Sequence, residues 1–217
     1  MLVGERMSKP VITVRPETPM PEALDLMRKE HIRRLPEVNK RGELIGIVTE
    51  TNLLKASPSE ATSLSIYEVT YLLSKLTVER IMTKPVVTVT EDTPLEEAAR
   101  IMADHHFSGL PVMRGKELVG MITETSLFRV FLELLGARRA GVRVTVSLPD
   151  KPGELATLTR AVSELGGNII ALGTTMGESP STGLVTFKVE GVKLEQLRKA
   201  LLPLVKKLID IRDTKPA

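Results

Sequence analysis

The chain has 217 residues, 42% hydrophobic and 26% charged, with no cysteine. That length admits one large or two small domains with a buried core, and the missing cysteine excludes a disulfide framework and a thiolate metal site while fitting a reducing compartment. A net charge of +3, spread along a chain with 3% aromatic residues, describes a solvated surface and not a nucleic-acid-binding stripe.

At the N-terminus, "MLVGERMSKPV" lacks the apolar core of a signal peptide, and "LFRVFLELLG" is too short and too charged to span a bilayer, so a cytoplasmic protein without a membrane partner is expected. Pro10 precedes "VITV", a β-branched run suited to a strand. "ETPMPEALDLMRKEH" predicts a helix starting from Thr18, with Pro21 in its first turn and Ala23, Leu24 and Met27 at helical spacing. "RRLPEV" and "ELIGIVT" read as strands joined by the turn "NKRG", and "TETNLLKA" opens a second helix capped by Thr49 or Thr51. A longer connection follows, in which Ile66, Val69, Tyr71, Leu72, Leu73 and Leu76 form the apolar face of a helix capped by Ser63 or Ser65. That helix packs on the domain or on a partner subunit, and Tyr67 and Tyr71 serve either core packing or ligand stacking.

The pattern then repeats. The stretch beginning "MSKPVITV" at Met7 aligns without a gap to "MTKPVVTV" at Met82, and after a one-residue gap residues 43–54 match 117–128. A repeated structural unit of strand, helix, strand, strand and helix is expected. "HIRRLPEV...LIGIVTETNLL" and "HFSGLPVM...LVGMITETSLF" resemble the two motifs of a CBS-domain pair, or Bateman module. The resemblance implies a sandwich of two small sheets with helices outside, and clefts between the repeats that hold adenosyl ligands. By the same resemblance the nucleotide contacts are Val11, Thr13, Arg33, Arg34, Pro36, Thr49 and Asn52 in the first repeat. In the second they are Val86, Thr88, Ser108, Gly109, Pro111, Thr123 and Ser126. Thr49 and Thr123 stand where a strand gives way to a helix, so each is either a ligand contact or a helix cap. Nucleotide-binding motifs of this kind carry an Asp that takes ribose hydroxyls where this chain has Asn52 and Ser126, which lack the carboxylate's charge. Arg33 and Arg34 suit phosphate oxygens or a solvated strand edge, whereas Ser108 and Gly109 permit close approach of a flat base. His31 and His106 align at helix ends, and with His105 they have no partners at metal-ligand spacing, so no metal is expected.

"GARRAGVR" is a linker by composition. Beyond it, "VRVTVSLPD" is a strand, "KPGELATLTRAVSELGG" a helix stopped by Gly166 and Gly167, and "NIIALGTTM" and "GLVTFKVEG" two strands. A helix ending near Pro203 and the strand "LIDIRD" complete a βαββαβ, ferredoxin-like order. "LPDKPGELATLTRAVSELGGNI" resembles an ACT domain, which implies amino-acid contacts at Asp150, Pro152, Gly153, Asn168 and Ile169, or turn geometry alone at the glycines.

The expected class is therefore α/β (α+β), with a first CBS motif at 1–56, a helical insertion at 57–80, a second motif at 81–136, a linker at 137–141 and an ACT domain at 142–214. The whole arrangement resembles the acetoin utilization protein B-like family and implies a regulator linked to acetoin or acetyl-CoA metabolism. No glycine-rich phosphate loop, G-x-S-x-G, H-E-x-x-H or cysteine nucleophile is present, and Glu50 and Glu124 suit the first turn of a helix for dipole reasons alone. The expectation is a non-catalytic sensor of AMP, ADP, ATP or S-adenosylmethionine as a regulatory ligand, with no required cofactor, acting as a homodimer on an unknown partner enzyme. An amino-acid-sensing ACT regulator and a ligand-free dimeric scaffold are the alternatives.

Overall fold

A computed structural model describes residues 1–56 and 65–215. The chain divides into two units, Met1–Leu127 and Phe128–Ala217. The first contains α1 (Val3–Arg6), α2 (Met20–Lys29), β1 (Arg34–Val38), β2 (Leu44–Thr49), α3 (Glu50–Ala56), α4 (Ile66–Lys75) and a 3₁₀ turn (Val78–Arg80). It continues with β3 (Val89–Thr90), α5 (Leu95–His105), β4 (Gly109–Arg114), β5 (Glu117–Thr123) and the start of α6 (Glu124–Leu134).

Both repeats contain the expected antiparallel hairpin. β1 pairs with β2 through Pro36↔Ile47 and Glu37↔Gly46, and β4 pairs with β5 through Pro111↔Met121 and Val112↔Gly120. The "NKRG" turn is closed by Asn39, whose Oδ1 accepts from the backbone N–H of Arg41 (2.9 Å) and Glu43 (3.0 Å), with Gly42 at φ 79°. Each helix α2 and α5 begins after a proline, Pro19 or Pro94. Thr18 is therefore one position too early to cap: its Oγ1 accepts instead from Arg15 N–H at 3.1 Å, as Thr93 does from Thr90 N–H at 3.0 Å. The expected strand "VITV" is reduced to a single bridge, Val14↔Glu37, and of "VVTV" only Val89 enters β3.

The reason is that each repeat's leading segment is paired with the other repeat. Val3 N–H donates to Thr93 O (2.9 Å) and Gly4 N–H to Glu91 O (2.9 Å); correspondingly, Val78 N–H donates to Thr18 O (3.0 Å) and Glu79 N–H to Pro16 O (3.2 Å). Ser8 then bridges Met121, and Thr83 bridges Ile47. Between Thr83 and Val89 the backbone leaves one sheet for the other, so the intervening residues cannot remain in either ladder. Short helix α1 belongs to this exchange and was not foreseen from the sequence. Glycines make the crossings possible: a Cβ at Gly46 would overlap the Met82 side chain, and one at Gly120 would overlap Met7.

The core of the first repeat comprises Val14, Met20, Ala23, Met27, Leu35, Val48, Leu53 and Val78, with Leu73 and Leu76 packed against it. Leu73 of the inserted helix α4 and Leu76 just after it reach this core, whereas Tyr67 is 84% exposed and Tyr71 63% exposed. Ser65 caps α4 in a capping box with Glu68. Ser63 lies outside the described residues.

The second unit contains β6 (Gly141–Pro149), α7 (Glu154–Glu164), β7 (Asn168–Met176), β8 (Thr182–Glu190), α8 (Leu194–Leu201) and β9 (Lys207–Thr214). Its antiparallel sheet has the order β7-β8-β6-β9. Strict alternation in β6 buries Val142, Val144, Val146 and Leu148 in one core with Leu158 and Val162 of α7 and Leu197 and Leu201 of α8. Phe187 and Val189 of β8 join that core, while intervening Lys188 is buried in its own contacts. The Lys188 ammonium donates to the carbonyls of Gly136 (2.8 Å) and Arg139 (2.9 Å), fastening the segment after α6 to the sheet.

One buried group lacks such satisfaction. Glu37 in β1 is 0% exposed and neither carboxyl oxygen has a hydrogen-bond partner, whereas the aligned position in β4 is Val112. Burial first, then the charges of Glu79 and Glu17, push its pKa upward against the pull of Lys84. Because the folded-state pKa is raised, the cost of ionised Glu37 is absent below the ordinary glutamate range and grows as pH rises through the raised value. Glu37→Val is expected to stabilise the protein by about 1–3 kcal/mol near neutral pH. The gain should shrink toward pH ~4, measured by urea denaturation across that range.

Candidate functional site

In the first repeat, β2 ends at Thr49 and α3 begins at Glu50. Thr49 Oγ1 accepts from Asn52 N–H at 3.2 Å, while Asn52 Oδ1 accepts from the Thr49 N–H (3.0 Å) and hydroxyl (2.6 Å). This is a closed, reciprocal helix cap. The second repeat builds a looser version, with Ser126 N–H donating to Thr123 Oγ1 at 3.3 Å and the two hydroxyl oxygens 3.2 Å apart. Glu50 N–H donates to Arg33 O (3.0 Å) and Glu124 N–H to Ser108 O (3.2 Å), so these helix-start donors are already occupied. The Thr-Glu-Thr repeat is thus a capped helix start in both copies, and Asn52 is spent on its own cap.

A cleft of about 400 Å³ lies between the repeats. The first repeat contributes Arg33, Arg34, Ile47 and residues 49–51; the second contributes Thr83, residues 85–87 and residues 106–111. His106 caps α5 in the left-handed region (φ 57°), turning the chain toward β4, and His31 does the same after α2 (φ 53°). The His105 and Phe107 rings stack with centroids 5.4 Å apart.

Arg34 dominates the electrostatics. Its Nη2 donates to Ser108 Oγ across the repeat boundary, and the guanidinium occupies the space that a side chain at Gly109 would take. Its Nη1 is buried without a hydrogen-bond partner. Desolvation and then the like charge of Arg33 hold the Arg34 pKa below its ordinary value, opposed by Glu124. Glu124 is not paired with it among the described residues.

Of the residues expected to contact a nucleotide, Arg33, Arg34, Thr49, Val86, Ser108, Gly109 and Pro111 line this cleft. Val11, Pro36, Asn52, Thr88, Thr123 and Ser126 are not in its lining, and Thr13 borders a separate depression with Arg15 and Glu22. Ile47, Glu50, Thr51, Thr83, Pro85, Val87, His106, Phe107 and Leu110 were not foreseen. The repeat itself was the available signal for Thr83 and Pro85, since Ser8 and Pro10 match them in a segment that crosses to the other hairpin.

In the second unit a depression of about 410 Å³ includes Asp150, Lys151, Glu154, Thr174, Met176 and Gly183. Lys151 and Glu154 form an ion pair at 3.2 Å, and Gly153 precedes α7 at φ 93°, where its turn requires glycine. Exposed Pro152 and Gly153 flank the depression without lining it. Asn168 and Ile169 stand at the opposite end of β7, roughly 20 Å along the strand from Thr174. There Asn168 Nδ2 donates to Glu190 Oε1 at 2.7 Å, and Ile169 packs on the core. Asn168 and then Arg139 hold the Glu190 carboxyl below the usual carboxylate range. Among the described residues, no His, Asp or Glu cluster could hold a metal and no helix is long and apolar enough to cross a membrane.

Comparison with known proteins adds family matches. The CBS domain profile matches residues 3–59 and 78–133, and the TTHA0829-like ACT domain profile matches residues 140–212. The chain is 33% identical over 131 residues to the L-aspartate semialdehyde sulfurtransferase of Methanocaldococcus jannaschii, covering 60% of this chain but 23% of that enzyme. It is 32% identical over 136 residues to a CBS domain-containing protein of Dictyostelium discoideum, covering 62% of this chain and 94% of that protein. Among solved structures, the CBS domain pair of protein MJ0100, in complex with 5′-methylthioadenosine and S-adenosylmethionine, has a TM-score of 0.51 and 32% identity. That similarity covers 60% of this chain and 95% of that one. The AcuB protein of Vibrio cholerae scores 0.53 at 27% identity, covering 63% and 93% of the respective chains. CBSX2 in complex with AMP scores 0.50 at 28% identity, covering 60% and 96%.

The caps are directly testable. Thr49→Val removes an acceptor and a donor from the closed cap and is expected to cost about 1 kcal/mol in urea denaturation, with a smaller loss for Thr123→Val in the looser cap.

Proposed function

The chain belongs to the CBS domain family, with an ACT domain after its two CBS motifs, and on that premise we propose that it is a non-catalytic regulatory protein that binds an adenosyl ligand in the cleft between its repeats. The observation that carries this reading is the cleft itself, lined by both repeats and holding the unpartnered guanidinium nitrogen of Arg34. The neighbours in complex with AMP and with S-adenosylmethionine support the ligand class. Thr49 and Arg34 come from one repeat and Ser108 from the other, so a ligand touching all three favours a closed arrangement, provided it binds that arrangement more tightly than an open one. The 137–141 linker then carries the change toward the ACT domain, which acts on a partner enzyme. Similarity to AcuB supports a place in acetoin or acetyl-CoA metabolism. A homodimer is supported by Phe128, Phe131 and Leu134, which stand 67%, 55% and 56% exposed on α6.

Thermal shift of the purified protein against AMP, ADP, ATP, S-adenosylmethionine and the twenty amino acids tests the reading. Ligand at a hundred times its Kd is expected to add about 2.7 kcal/mol of stability. A response confined to amino acids would move the sensor to the depression beside Asp150, and a flat screen at millimolar ligand would withdraw the cleft as a sensor. Phe131→Glu is expected to shift sedimentation from dimer to monomer, and an unchanged dimer would exclude α6 as the contact.

A further inference from the structure

The neighbours are in complex with adenosyl compounds of three charge types, anionic AMP, neutral 5′-methylthioadenosine and the sulfonium S-adenosylmethionine. We infer that this chain selects its cleft ligand by negative charge, admitting phosphorylated adenosyl compounds and discriminating against cationic S-adenosylmethionine, with Arg34 as the residue that discriminates. The inference rests on the adenosyl reading of the cleft and goes further by specifying charge.

Arg34 spends one terminal nitrogen on the Ser108 hydroxyl and leaves the other buried and unpartnered. Arg33 adds a second positive charge to the same wall, and its like charge together with burial makes the Arg34 cation costly to hold. A phosphate oxygen that draws the guanidinium off Gly109 and accepts from Nη1 would satisfy the buried donor and offset both charges in one contact. A neutral adenosyl compound could accept from Nη1 but would offset neither charge, and S-adenosylmethionine, whose one carboxylate could also accept, brings an ammonium and a sulfonium to the same wall. Asn52 stands where nucleotide-binding motifs carry an Asp, and with its oxygen committed to Thr49 it brings no negative charge toward the cleft. Two carboxylates oppose this selection, Glu50, partly exposed in the lining at its helix start, and Glu124, whose charge acts on Arg34.

The test is calorimetric titration of the full chain with ligands that share adenosine and differ in charge: ATP, AMP, adenosine, 5′-methylthioadenosine and S-adenosylmethionine. The phosphorylated pair is expected to bind about ten- to a hundredfold more tightly than adenosine, with S-adenosylmethionine weakest. Arg34→Gln should remove that preference, so that AMP and adenosine bind within about threefold of one another, and Arg34→Lys should restore part of it, each variant being checked for folding by circular dichroism. Should either variant fail to fold, Arg33→Gln provides the independent arm and is expected to weaken AMP more than adenosine. S-adenosylmethionine binding as tightly as AMP, or an AMP preference that survives Arg34→Gln, overturns the inference. If none of the five binds, the adenosyl reading fails by itself. Inorganic pyrophosphate then decides the charge selection: a melting-temperature rise in wild type that Arg34→Gln abolishes supports it, and no rise overturns it.

Discussion

The first unit depends on one constraint, that neither repeat completes its own sheet and core. Backbone bonds from Val3 and Gly4 reach the second repeat, and those from Val78 and Glu79 reach the first. Each repeat therefore needs the other's leading segment to satisfy backbone groups that would otherwise be buried unpaired. Gly46 and Gly120 admit the crossings because a side chain at either would occupy the space of the opposing methionine. The cleft follows from this exchange: Thr83 and Pro85, part of its wall, arrive on the second repeat's leading segment and are held in place by pairing with Ile47 of the first.

On this symmetrical frame the two repeats differ where chemistry is concentrated. Arg33 and Arg34 face Ser108 and Gly109, so a long cation from one side enters the space left by a missing side chain on the other. Buried Glu37 replaces Val112 in the equivalent strand, and Asn52 closes a cap that Ser126 closes only loosely. A frame with two equivalent halves could offer two equivalent sites; these substitutions make the halves unlike in charge and in hydrogen-bonding capacity. The cleft lining correspondingly holds two arginines against one glutamate, a difference made by a few positions rather than by the fold.

The second unit is built on more regular lines. Alternation along β6 turns every second residue toward the two helices, and the antiparallel pairing of β8 brings Phe187 and Val189 to the same face. Lys188, between them in sequence, points to the other face, where backbone carbonyls of the segment after α6 receive its ammonium. A buried cation satisfied by two carbonyls is tolerable where an unpaired one is not, so Lys188, with the Arg139–Glu190 ion pair, ties the path of residues 136–139 to the sheet. The depression beside Asp150 and the Asn168–Glu190 contact occupy opposite ends of β7, which separates two features that the ACT motif links in sequence.

The sequence by itself determined the duplication, the two hairpins, the βαββαβ order of the second unit and the helix starts after β2 and β5, but not the short α1 or the cap of α2. These are local properties: hydrophobic period, turn chemistry and capping require only neighbours in the chain, and β7 spans the very residues of "NIIALGTTM". The family motifs, Leu-Pro, Thr-Glu-Thr and the ACT loop, are likewise legible as strings. Tertiary structure alone decided that "VITV" and most of "VVTV" would leave the sheet, that Tyr67 and Tyr71 would be exposed, and that Thr49 but not Thr123 would line the cleft between the repeats. It also decided that the Asn52 oxygen would be consumed by Thr49 and that Arg34 would reach Ser108, 74 positions away, with one nitrogen left unpaired. Matching residues in a repeat share a local conformation, but what each one faces depends on the opposite repeat, and only the folded chain brings those two surfaces together.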